Sequence, residues 1–247
     1  MARLRPRDLL RTVDETSTRM TDSTSTSVSP PHEVLRLHFA RHGETVSSRE
    51  GRFCGVTECD LTADGHVMAA LLADRCAAAG RWRAVVASPL RRCRETALPS
   101  AERLGLPLAV EPGLREIDHG AWEDRPAAEV AASDAAAFAA WREHPGWLGA
   151  PGGESGYAVA ARALPVVEAI RAAHRDGDVL VVSHKATIRV ITCVLLGLDV
   201  DRYRARVACP VGSVTTFEFG DDADPLLLGL ADVSHLPLRL RSGGDVA

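Results

Sequence analysis

The apolar residues of this chain fall into short runs that alternate with longer stretches of helical spacing. Residues 34–39 (VLRLHF) form a short apolar run ahead of Gly43 and read as a buried strand feeding a loop. Residues 61–79 repeat apolar positions at helical spacing, with Val67, Leu71 and Leu72 among alanines and Thr62 placed to cap the start. Residues 84–87 (AVVA) read as a second strand. Pro89 suits the first turn of a helix running to Leu104, with a kink expected at Pro99. A third strand follows over 108–111, then a helix over 127–142, a Gly/Pro loop over 146–153 and a long helix over 155–174 perturbed at Pro165. The fully apolar run 179–182 (VLVV) reads as a strand, 186–196 as a helix, and 214–219 with 226–233 as a closing pair of strands. Strands alternating with helices predict an α/β fold, a three-layer α/β/α sandwich around a mainly parallel sheet covered on both faces. Ligands of such sheets bind beyond the carboxyl ends of the strands.

Composition narrows this picture. A chain of 247 residues, 46 % of them hydrophobic, suits one domain of this class. Residues 1–32 hold a basic start, a Ser/Thr tract and Pro30-Pro31, with too few apolar residues to build a core. They predict a disordered extension, leaving 33–247 as the folded domain. The extension lacks the apolar stretch of a secretory signal, its acidic residues argue against a transit peptide, and Met20 is an alternative start. A net charge of −4 leaves no global basic footprint for nucleic acid, and no apolar run reaches the roughly 20 residues of a membrane span. The expected location is the cytoplasm. Six scattered cysteines in a chain able to build a core read as free thiols. Cys54 and Cys59 could form half a metal site, but no second pair follows at zinc spacing, so neither a metal nor any other cofactor is expected.

Chemistry gathers at the predicted strand ends. The first strand runs into Arg41-His42-Gly43, the VLVV strand into Ser183-His184-Lys185, and the AVVA strand into Ser88-Pro89-Leu90-Arg91-Arg92. If these strands run parallel, His42, His184 and the arginine pair share one edge with Arg41. Guanidinium groups offer paired donors that match phosphate oxygens, so a phosphate dianion is the natural guest. The remaining histidines, His119 among them, read as satisfied polar residues, and Trp122, Trp141 and Trp147 as core or pocket wall.

Arg41-His42-Gly43-Glu44-Thr45 resembles the signature of the histidine phosphatase superfamily, also called phosphoglycerate-mutase-like. Further blocks follow in that family's order: Gly51–Gly55 with Leu61–Gly65, Ser88–Ala97, Leu114–Glu123, Pro151–Ser155 and Val182–His184. The resemblance spans about residues 34–236. It implies a phosphoglycerate-mutase-like fold and a phosphatase that needs no metal. His42 would be the nucleophile, carrying the phosphoryl group as phosphohistidine. Arg41, Arg92 and His184 would hold the phosphoryl oxygens, and Glu116 would donate the proton to the leaving oxygen.

The chain departs from the family pattern at two places. Ser47-Ser48 stand where many relatives carry Trp-Asn, and Lys185 where most have glycine. Ser48, Cys54, Gly55 and Lys185 are expected to meet substrate. Lys185 either recognises a second anionic group or is a solvated lysine. The block Gly120-Ala-Trp122-Glu123 is similar to the phosphatase branch that includes α-ribazole phosphatase, and the longer basic stretch of the glycolytic mutases is missing. A phosphatase acting on a small phosphorylated metabolite is therefore the expectation. The alternatives are a mutase, a non-catalytic phosphate-binding regulator of the same fold, and a protein phosphohistidine phosphatase. Against the last, the segment 124–154 is long enough to form a lid over a small substrate. A homodimer is compatible with the sequence.

Overall fold

The structure is a computed structural model and describes residues 34–220 and 224–241, so the expected extension over 1–32 lies outside the described residues. Six strands, β1 (Leu35–Arg41), β2 (Trp82–Ala87), β3 (Leu108–Val110), β4 (Gly177–Ser183), β5 (Val214–Phe219) and β6 (Leu226–Asp232), form one sheet. Their order is β3-β2-β4-β1-β5-β6. The first four run parallel, β5 pairs antiparallel with β1, and β6 antiparallel with β5.

The apolar runs of β1 and β4 are explained by helices on both faces. On one face Leu37, Phe39, Val179 and Val181 pack against Ala163 and Val167 of α6 (Gly156–Ala173) and Ile188 and Ile191 of α7 (Lys185–Leu195). On the other, Ala40, Leu180 and Val182 meet Leu72 and Cys76 of α2 (Ala63–Ala78) and Cys93 and Ala97 of α3 (Arg91–Leu104). Neighbouring residues on a strand point to opposite faces, so a strand covered twice must be apolar throughout. Each large aliphatic side chain so buried contributes about 1.5–3 kcal/mol relative to exposure. Thr62 caps α2 as predicted, its hydroxyl accepting from the Gly65 N–H at 3.0 Å.

The structure corrects two local expectations, the place of Pro89 and the single helix over 127–142, and shows α3 and α6 continuing past their prolines. α3 begins at Arg91 with Leu90 as its cap residue, so Pro89 lies ahead of the first turn. Pro99 and Pro165 sit inside helices that run on through them. The single helix expected over 127–142 is two, α4 (Ala127–Ser133) and α5 (Ala135–Glu143), broken at Asp134 (φ −134°, ψ 47°). There the Asp134 carboxylate accepts the Trp122 indole N–H at 2.9 Å, a tertiary bond that helical periodicity does not register. Both helices close over an aromatic cluster of Phe53, Trp122, Phe138 and Trp141. The short helices α1 (Val46–Arg49), α8 (Tyr203–Arg206) and α9 (Leu238–Arg241) complete the described residues.

Parallel register brings three strand ends to one edge. Arg41 aligns with Ser183, and Ala87 with Val182. His42, Ser88 and His184 each follow one of these ends.

Candidate active site

His42 leaves β1 with its backbone N–H bonded to the Ser183 carbonyl at 3.0 Å. The next turn is tight. The Gly43 N–H donates to Thr96 Oγ1 at 2.9 Å, and a Cβ at Gly43 would lie 2.5 Å from the Gly65 carbonyl oxygen, so only glycine fits without displacement. The His42 ring places Nδ1 2.8 Å from the Gly43 carbonyl oxygen. A carbonyl only accepts, so Nδ1 carries the hydrogen and the lone pair of the neutral ring resides on Nε2. Burial, then Arg92 and Arg41, push the His42 pKa well below the usual imidazole value, while the Gly43 bond opposes them weakly.

His184 lies beside it, ring centroids 5.3 Å apart. Arg92 Nε donates to His184 Nδ1 at 3.2 Å, which leaves the His184 hydrogen on Nε2, pointing at Ser88 Oγ at 2.7 Å. Burial, Arg92 and His42 keep this second imidazole uncharged as well. The Arg92 guanidinium, itself buried, also donates to the carbonyls of Gly55 at 2.7 Å and Thr57 at 3.0 Å. Arg41 Nη1 donates to the Cys209 carbonyl at 2.7 Å. Two guanidinium groups and two neutral imidazoles therefore converge at one strand edge.

Glu116 is the one carboxylate on the wall of the cleft. It sits at the N-terminus of α7, where its oxygens accept from the Ala186 N–H at 3.1 Å and the Thr187 N–H at 3.2 Å. Glu123 lies behind the cleft. It receives the N–H groups of Gly55, Thr57 and His119 and the Thr57 hydroxyl, and so ties down the loop whose carbonyls hold Arg92. Burial works against its ionised form, but these donors outweigh it and hold Glu123 below the usual carboxylate range.

The cleft has a volume of about 110 Å³, room for several waters or a small phosphomonoester, since one water needs about 10–15 Å³. Arg41, His42, Arg92 and Glu116 line it, as do Ser48, Cys54 and Lys185. Two expected residues do not. His184 faces Arg92 and Ser88 from beneath, and Gly55 is turned away, its N–H on Glu123 and its carbonyl on Arg92. The Ser48 hydroxyl closes the capping box of α1 with Thr45. Cys54 and Cys59 place their sulfurs 3.0 Å apart without a disulfide, and the Cys54 thiol beside it lowers the Cys59 pKa. Among the described residues no group of three or more His, Cys, Asp or Glu could hold a metal ion, and no helix is long and apolar enough to cross a membrane.

Sequence reasoning missed several wall residues. His119, read as a satisfied polar residue, lines the cleft against Phe53 with ring centroids 4.8 Å apart, and burial lowers its pKa. Ala127 and Phe138 come from the segment expected to cover the site. Arg189 and Arg204 also face the cleft; the four-residue step from Lys185 to Arg189 on one helix was a usable signal for the first, and nothing local marked the second. Trp122 and Trp141 prove to be core, whereas Trp147 is exposed.

Comparison with known proteins shows the family and the fold. Residues 37–231 match the histidine phosphatase superfamily (branch 1). The chain is 34 % identical over 170 residues to phosphoserine phosphatase 1 of Hydrogenobacter thermophilus, covering 69 % of this chain and 80 % of that one. It is 36 % identical over 178 residues to a glucosyl-3-phosphoglycerate phosphatase of Mycolicibacterium vanbaalenii, covering 69 % and 78 %. Among solved structures, YhfR of Bacillus stearothermophilus superposes with a TM-score of 0.76 at 28 % identity, over 81 % of this chain and 98 % of that one. The chain belongs to the histidine phosphatase superfamily, branch 1, and is a phosphatase of that type.

Proposed function

We propose that the chain is a metal-independent phosphomonoesterase of the cytoplasm, acting on a small phosphorylated metabolite through a phosphohistidine on His42. The observation that carries this reading is the state of His42: uncharged, with Nδ1 held by Gly43 and Nε2 left as the nucleophile beside Arg41 and Arg92. Nε2 attacks phosphorus, an N–P bond forms, and the ester P–O bond breaks. Glu116 hands its proton to the departing oxygen, so the leaving group departs as an alcohol. Water then attacks the phosphohistidine, Glu116 takes back a proton, the N–P bond breaks, and inorganic phosphate leaves with His42 restored. Arg41 and Arg92 neutralise the charge on the phosphoryl oxygens throughout, the part a metal ion plays elsewhere. His184 orients Arg92 through the Nε–Nδ1 bond.

The test is hydrolysis of p-nitrophenyl phosphate with and without EDTA. Activity should survive the chelator and fall by more than about 10³-fold in His42→Ala. Rapid quench into alkali should trap an acid-labile phosphoryl-enzyme that the variant does not form. Loss of activity with EDTA, or full turnover by the variant, would refute the mechanism.

A further inference from the structure

The cleft holds more positive charge than one phosphoryl group needs. Six of its wall residues carry formal positive charge against the single carboxylate of Glu116. Arg41 and Arg92 serve the reacting group. Arg52 is committed elsewhere, its Nε to Glu50 at 2.6 Å and its Nη1 to the Asp124 carbonyl at 2.8 Å. Arg189 and Arg204 have no acidic partner among the described residues, although Arg204 also hydrogen-bonds to Tyr203. Arg189 has no ion pair among the described residues, and its Nε is buried without a hydrogen-bond partner. Arg204 stacks its guanidinium on Trp141, 3.8 Å from the ring centroid, and has no carboxylate partner among the described residues. The two arginines are close enough to repel one another. Two neighbouring, partly desolvated cations without a counter-charge are costly unless an anion joins them.

We propose that Arg189 and Arg204, with Lys185 at the mouth of α7, form a second anion subsite, and that the preferred substrates are phosphomonoesters bearing another anionic group. This rests on the reading of His42 as the nucleophile. Lys185 directly follows His184, and Arg189 lies four residues on, about 6 Å along the helix. The subsite is thus within reach of a short carbon chain from the phosphoryl pocket. Both a carboxylate and a second phosphate match a guanidinium fork, so the ligand chemistry is that of an oxyanion.

The experiment compares pairs that differ only in the second anion: 3-phosphoglycerate against glycerol 3-phosphate, and propane-1,3-diol bisphosphate against its monophosphate. Wild type should favour the doubly anionic member of at least one pair by about tenfold or more in kcat/KM. Which pair shows the preference separates a carboxylate from a phosphate guest. In Arg189→Gln and Arg204→Gln the ratio should fall towards one, mainly through KM, and Arg204→Lys should retain part of it. General damage to the fold lowers both members together and leaves the ratio in place, so an unchanged ratio in both variants overturns the proposal. So does a wild-type ratio near one in both pairs. If no ester is turned over, the assignment of His42 fails instead. Calorimetric titration of the same compounds then decides the subsite alone, through tighter binding of the doubly anionic member that Arg189→Gln abolishes.

Discussion

A protonated imidazole has no lone pair to offer, so under the proposed mechanism the charge state of His42 governs activity. Burial, Arg92 and Arg41 lower its pKa, and His184 is lowered for related reasons. Both rings should remain neutral at pH 6, where an ordinary histidine with a pKa near 6.5 is more than half charged. NMR titration of the ring nitrogens checks this, and a midpoint at or above 6.5 for His42 contradicts it. The linkage has a definite sign. The folded-state values lie below the unfolded one, so the unfolded chain binds more protons below about pH 6.5, and stability falls as pH is lowered through that range. Glu123 makes a second case. Its carboxylate anchors the loop that cradles Arg92, so Glu123→Gln should lose about 1–3 kcal/mol of stability and lower kcat/KM although it touches no substrate. Thermal unfolding and kinetics of the variant measure both. The residues proposed as catalytic were legible as candidates because each lies in a contiguous block. Glu123 was legible as part of its block, but its partners at 55–57 lie far back in the chain, and only the fold shows what it holds.

At the scale of elements, the site depends on how closely α2 approaches the loop after β1. Gly65, in the first turn of α2, would place a Cβ 2.2 Å from the Glu44 carbonyl oxygen, while Gly43 packs against Gly65 from the other side. Gly65→Ala should cost about 1–3 kcal/mol by overpacking and reduce activity through the displaced His42 loop. Gly229→Ala is the control, because nothing lies within 4 Å of its added Cβ, and its effect should stay within about 0.5 kcal/mol. Equal losses of melting temperature in the two variants would contradict the argument. The strands of the central sheet were readable from their apolar runs, since burial on both faces leaves an unambiguous pattern. The break at Asp134 was not, because alanine-rich periodicity continues across it and the competing partner, Trp122, belongs to another segment.

For the whole molecule, global and local charge have opposite signs. The chain carries −4, yet its cleft is cationic. If the net charge dominated encounter, salt would speed capture of an anionic substrate; if the cleft dominates, salt slows it. Fields decay over about 8–10 Å at ordinary ionic strength, so the nearest charges win. We expect kcat/KM for a phosphomonoester to fall several-fold as salt rises from about 0.05 to 0.5 M. A rise would show that the net charge prevails.

The order of apolar runs, the caps and the signature blocks were enough to establish the α/β class and the family, and to pick out the residues that gather at the strand edge. These follow from short-range rules: which residues alternate, which cap, which stand at a strand end. Contacts between distant segments settled the rest. Arg189 and Arg204 line one cleft because α7 and α8 pack together, and Arg92 is held in place by a loop that Glu123 secures from behind. Such pairings depend on energies shared between residues many positions apart, which leave no mark on the local pattern of either one.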